Sequence, residues 1–104
     1  MPNFLVQMLL PLYDNGGARF PPRMYRQVQQ ELVAAFGGVT AYARAPATGL
    51  WREDGEDTVR DDLVVLEVMT DNLDDTWWRA YRAELERRFA QDALVVRAQE
   101  IRML

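Results

Sequence analysis

Apolar and polar positions change their period several times along the chain. Residues 3–10, NFLVQMLL, form a mostly apolar run of strand length closed by Pro11. Residues 13–22, YDNGGARFPP, have the composition of a loop. In RMYRQVQQELVAAF, Met24, Val28, Leu32, Ala35 and Phe36 recur at helical spacing, with prolines at the start. Gly37 and Gly38 stop that helix, one of them at the left-handed cap position.

Residues 39–45, VTAYARA, alternate as a strand does. Val39, Ala41, Ala43 and Ala45 take one face, and Thr40, Tyr42 and Arg44 the other. After Pro46 the strand resumes at TGLWRE, and Asp54-Gly55 then reads as a hairpin turn. Residues 39–69 are expected to form one long hairpin with Glu53, Asp54, Glu56 and Asp57 at its tip. Their spacing does not fit a calcium loop, and no metal site is expected. In the next amphipathic segment Trp78, Tyr81, Leu85 and Phe89 share a stripe, and Asn72 or Asp74 caps the start. Asp75–Arg79 and Glu84–Arg88 are spaced for ion pairs on its outer face. Residues 93–101, ALVVRAQEI, form a last strand.

The order βαββαβ predicts a ferredoxin-like α+β fold over residues 1–104, a single domain. It comprises a four-stranded antiparallel sheet, two helices on one face and a long β2–β3 hairpin. A sheet with one open face alternates apolar and polar residues. LVVLEVM does not, since Leu63, Val65 and Met69 lie on one side and Val64, Leu66 and Val68 on the other. Apolar positions on both faces, with helices for one, imply a covering partner, and a second copy making a homodimer is the expected one. The chain's own hairpin or C-terminal tail is the alternative cover.

With Val6, Ala41, Val64, Leu66 and Val96 under the helices, the other face carries Gln7, Tyr42, Arg44, Glu67, Arg97 and Gln99. Glu67 sits alone among apolar neighbours, and a carboxylate there needs a partner, for which Arg44 and Arg97 are the candidates. Two readings stand: a structural ion pair, or a small polar cavity lined by Tyr42, Arg44, Trp51, Glu67 and Arg97 for an acidic or aromatic small molecule.

Composition narrows the chemistry. The 104 residues contain no His, Cys, Ser or Lys, and all twelve basic residues are Arg. The usual activated nucleophiles, the usual general base and the Schiff-base lysine are therefore missing, and no cofactor is expected. A net charge of −4 argues against a nucleic-acid partner. The apolar N-terminal run is too short to cross a bilayer and lacks a basic start and a cleavage site, so the expected setting is cytoplasmic.

GGVT, GLW and a helix ending RRFAQD before ALVVRA resemble small bacterial proteins grouped as domains of unknown function, which share Gly-x-Thr, Gly-x-Trp and Phe-x-Gln at such spacing. The matching positions are Gly38, Thr40, Gly49, Trp51, Phe89 and Gln91. The resemblance covers residues 37–99 and implies no particular activity; members are often exported, and this chain lacks the signal. The fold also looks like that of dimeric α+β barrel proteins, among them cofactor-free monooxygenases, many of which rely on a histidine. Two functions follow as expectations. The first is a non-enzymatic domain that binds a small molecule or a protein as a homo-oligomer. The alternative is a cofactor-independent enzyme of the barrel type, with Glu67 as general acid or base and Tyr42 and Arg44 orienting the substrate.

Overall fold

The computed structural model describes residues 1–44 and 63–104, apart from the side chains of residues 42–44. The elements run β1 (Phe4–Pro11), α1 (Pro22–Phe36), β2 (Thr40–Arg44), β3 (Leu63–Thr70), α2 (Asp75–Arg88) and β4 (Val95–Glu100). The strands form one antiparallel sheet in the order β2-β3-β1-β4, with the split βαβ topology expected from the sequence. The Asp54-Gly55 turn and Trp51 lie outside the described residues.

The sequence explains the element ends. Pro22 occupies the first position of α1, where its missing N–H costs nothing. Gly37 ends the helix at φ 82°, a left-handed conformation that glycine adopts without a Cβ penalty, and its N–H donates to the Val33 carbonyl. Asp74 caps α2 by accepting from the Trp77 N–H at 3.1 Å. That helix stops at Arg88, four residues before Asp92, where its sequence pattern closes. Phe89 leaves the helical path and Ala90 takes φ 51°.

Both helices cover the face formed by Val6, Met8, Leu10, Leu66 and Val68, which joins Val28, Leu32, Trp78, Leu85 and Phe89 in the core. Phe89 is fully buried, with Phe20 edge-on to it at 5.1 Å and Tyr25 tilted against it at 5.5 Å. Tyr25 donates its hydroxyl to the Pro11 carbonyl, and burial pushes its phenol pKa up to about 12, against a smaller lowering by Arg19. Coverage fades toward the β2 edge. Ala41 stands opposite Leu66, yet it is exposed.

The charged side chains of α2 depart from their expected pairing. Glu84 binds Arg88 at 2.7 Å, as its spacing suggests, and also binds Arg87. Arg88 then reaches across to Glu31 of α1. Asp75 and Arg79 make no ion pair with each other or with any other described residue. Among the described residues, no helix is long and apolar enough to cross a membrane.

Candidate functional site

The face away from the helices is built by strand alternation. In β1 it takes Leu5, Gln7 and Leu9, and in β3 it takes Leu63, Val65, Glu67 and Met69. In β4 it takes Val95, Arg97 and Gln99. Coverage across it is uneven. Val65 is 1% exposed although it stands outside the helix-covered core, whereas Met69 is 49% and Val95 50% exposed.

At the centre of this face three polar side chains form a row across three strands. Gln7 stands opposite Glu67 on one side and opposite Arg97 on the other. Its Nε2 donates to Glu67 Oε2 at 2.8 Å, and its Oε1 accepts from Arg97 Nε at 2.9 Å. The row therefore runs guanidinium, amide, carboxylate, each member polarising the next. Above and below it lie Leu5, Leu9, Val65 and Met69.

Of the two arginines expected to pair with Glu67, Arg97 reaches it only through Gln7, and the side chain of Arg44 lies outside the described set. β1 lies between β3 and β4, so Arg97 and Glu67 stand two strand spacings apart, about 9–10 Å. No direct ion pair joins them in the structure, and the Gln7 amide stands between them. Sequence reasoning had placed Gln7 on this face without giving it a role. The usable signal was its position as the one polar residue between Phe4 and Leu10, at the middle of the strand that βαββαβ topology places beside β3.

The other expected site residues divide in two groups. Tyr42 and Arg44 lie in β2 at register positions opposite Val65 and Leu63, and Thr40 stands opposite Glu67. By register these positions share the Glu67 side of the sheet, while the side chains of Tyr42 and Arg44 are outside the described set. Trp51 lies outside the described residues. The structure thus brings Glu67 and Arg97 into one row through Gln7.

The chemical capacity of the row follows from its ends. A carboxylate offers acceptor positions to a cation or an N–H donor, and a guanidinium offers donors to an anion or a carbonyl. The amide between them holds both ends at fixed spacing.

No protein-family model matches the chain, and no curated protein matches it. One solved structure similar to it is a phage SAM lyase in complex with S-methyl-5'-thioadenosine. The two share a TM-score of 0.65 at 14% identity, over 95% of this chain and 81% of the other. At that identity the likeness speaks for the fold.

Proposed function

We propose that the open face of the sheet binds a small molecule, and that the protein works as a homo-oligomer in the cytoplasm with this face turned toward a second copy. The observation that carries this reading is the Glu67–Gln7–Arg97 row, held between Leu5, Leu9, Val65 and Met69 at the centre of the face. A surface of that kind is uncommon on a monomer, and a polar group within an apolar wall is how ligand sites fix orientation. Tyr42, Arg44 and Trp51 are the proposed further lining.

The row favours a ligand with an apolar or aromatic body, a donor or positive centre for Glu67 and an acceptor for Arg97. The fold neighbour, whose complex holds S-methyl-5'-thioadenosine, makes an adenosine thioether or sulfonium the first ligand to try. An adenine ring supplies the apolar body, and its exocyclic amine or the sulfonium supplies the partner for a carboxylate.

A second reading, an enzyme using Glu67 as general acid or base, gains support because that neighbour is a lyase by name. The absence of His, Cys, Ser and Lys leaves a carboxylate as the remaining common proton-transfer group on this face.

Titration calorimetry with S-methyl-5'-thioadenosine and with SAM tests both readings, alongside chromatography for release of the thioether from SAM. Binding without release, weakened in Glu67→Gln, supports the binding role. Release that is lost in Glu67→Gln supports the enzyme. Failure of both compounds to bind a folded protein overturns the ligand class, and binding unchanged by Glu67→Gln removes the row from the site.

A further inference from the structure

On the helix side of the sheet, a cleft of about 200 Å³ lies between the first half of α2 and strands β1 and β4. Its floor includes Val6 and Ala98, which face each other in register, and the ring of Trp78. Its rim carries Asp75, Arg79 and Arg82, spaced four and three residues apart along one side of α2. Of the Glu67–Gln7–Arg97 row only Arg97 also borders this cleft; Gln7 and Glu67 do not line it.

Three features single it out. Asp75 and Arg79 have the spacing of an ion pair, yet neither is paired with any described residue. Arg82 is held only loosely, at 3.9 Å from Glu86, whereas Arg87 and Arg88 are tightly bound by glutamates. Trp78 is only 6% exposed, and its indole N–H has no acceptor among the described residues. Buried donors are nearly always satisfied, and leaving one open costs stability that a ligand acceptor restores.

Unpaired charges of both signs above an apolar floor match a zwitterion with a hydrocarbon side chain. We propose that the cleft binds a free α-amino acid with an apolar side chain, of the size of leucine or phenylalanine. The ligand carboxylate lies against Arg79 and Arg82 and supplies the acceptor that the Trp78 N–H lacks. Its ammonium lies against Asp75, and its side chain covers Val6 and Ala98.

The test is titration of the wild-type chain with L-leucine and L-phenylalanine, read by calorimetry and tryptophan fluorescence. 3-Phenylpropionate, which lacks the ammonium, and 2-phenylethylamine, which lacks the carboxylate, serve as controls. Both amino acids should bind, and both controls should bind more weakly. Arg79→Gln should weaken binding about fivefold, the scale of a solvent-exposed ion pair. Ala98→Leu, at an exposed position that tolerates a larger side chain, should fill the cleft and abolish binding while the protein stays folded. Glu67→Gln should leave amino-acid binding unchanged, which separates this site from the open face. The proposal is overturned if neither amino acid binds, if the controls bind as tightly as L-phenylalanine, or if Ala98→Leu binds like the wild type.

Discussion

Arg88 on α2 grips both carboxylate oxygens of Glu31 on α1, at 2.8 and 2.9 Å. Tyr81 donates its hydroxyl to the same carboxylate at 2.8 Å, so two turns of α2 are tied to α1 at one point. The Arg88 hydrogen bonds hold the Glu31 carboxyl below the ordinary glutamate value, against a smaller opposing push from burial. Arg87 and Arg88 lower the Glu84 carboxyl to about 2. A carboxyl depressed in the folded chain contributes stability above its unfolded value, here 4.5, and that contribution is lost as pH falls through the folded value. The melting temperature should therefore drop as pH falls from about 4.5 toward about 2. Glu31→Gln should cost about 1 kcal/mol at neutral pH and flatten the acid limb. Thermal melts of both proteins across this range check it, and parallel acid limbs would contradict it.

Glu67 should tolerate loss of its charge better than a directly salt-bridged residue. Its described partner is a neutral amide, and a glutamine in its place still offers an oxygen to Gln7 Nε2. Glu67→Gln should cost under about 1 kcal/mol, well short of the roughly 3 kcal/mol for stranding a buried arginine. Chemical denaturation measures the difference, and a cost near the larger figure would place an unpaired cation against Glu67.

Gly37 sits at φ 82° with no atom near a Cβ position, so any penalty there comes from the backbone and not from crowding. Gly37→Ala should destabilise by about 1 kcal/mol, and Gly37→Val by more, since a branched side chain resists positive φ. Gly38, with no positive φ and equally open space, should accept alanine at little cost. Paired melts of the two alanine variants would separate these positions.

Phe89 is wedged between Phe20 and Tyr25 with no exposed surface. Phe89→Ala should cost about 3–5 kcal/mol, and Phe89→Leu less. Equilibrium unfolding of the leucine variant keeps the measurement within reach if the alanine variant does not fold.

If the open face is turned toward a second copy, association should depend on Met69 and Val95, its most exposed apolar positions. Light scattering across a dilution series should report a dimer that Met69→Glu with Val95→Glu converts to monomer. A concentration-independent 12.0 kDa monomer for the wild type would rule the arrangement out.

The order of elements was legible because each segment carries its own period and its own boundary signal: Pro11 and the Gly37 cap as stops, Pro22 and Asp74 as starts. The end of α2 was not. The pattern through Gln91 stays helical, and only packing of Phe89 into the core turns the chain at Ala90. Glu67 was legible as an isolated charge in LVVLEVM, but its partner depended on strand order, because a residue two strands away looks as eligible as an adjacent one until register is known. Arg88 looked like a surface residue paired within its own helix; its bond to Glu31 spans 57 residues and leaves no local trace.

The pairing of β1 with β4 has a mechanical consequence. Phe4 stands beside Glu100, and the Ile101 N–H donates to the Asn3 carbonyl, so the start of one strand adjoins the end of the other. Tension applied at these two points would not load the ladder in shear, with all rungs sharing the force. It would open the rungs singly, beginning at Asn3–Ile101 and travelling toward Leu9–Val95, as a zipper parts from its open end. Pulled from that corner, the chain should yield at low force and shed β4 first, the strand that borders both the polar row and the α2 cleft.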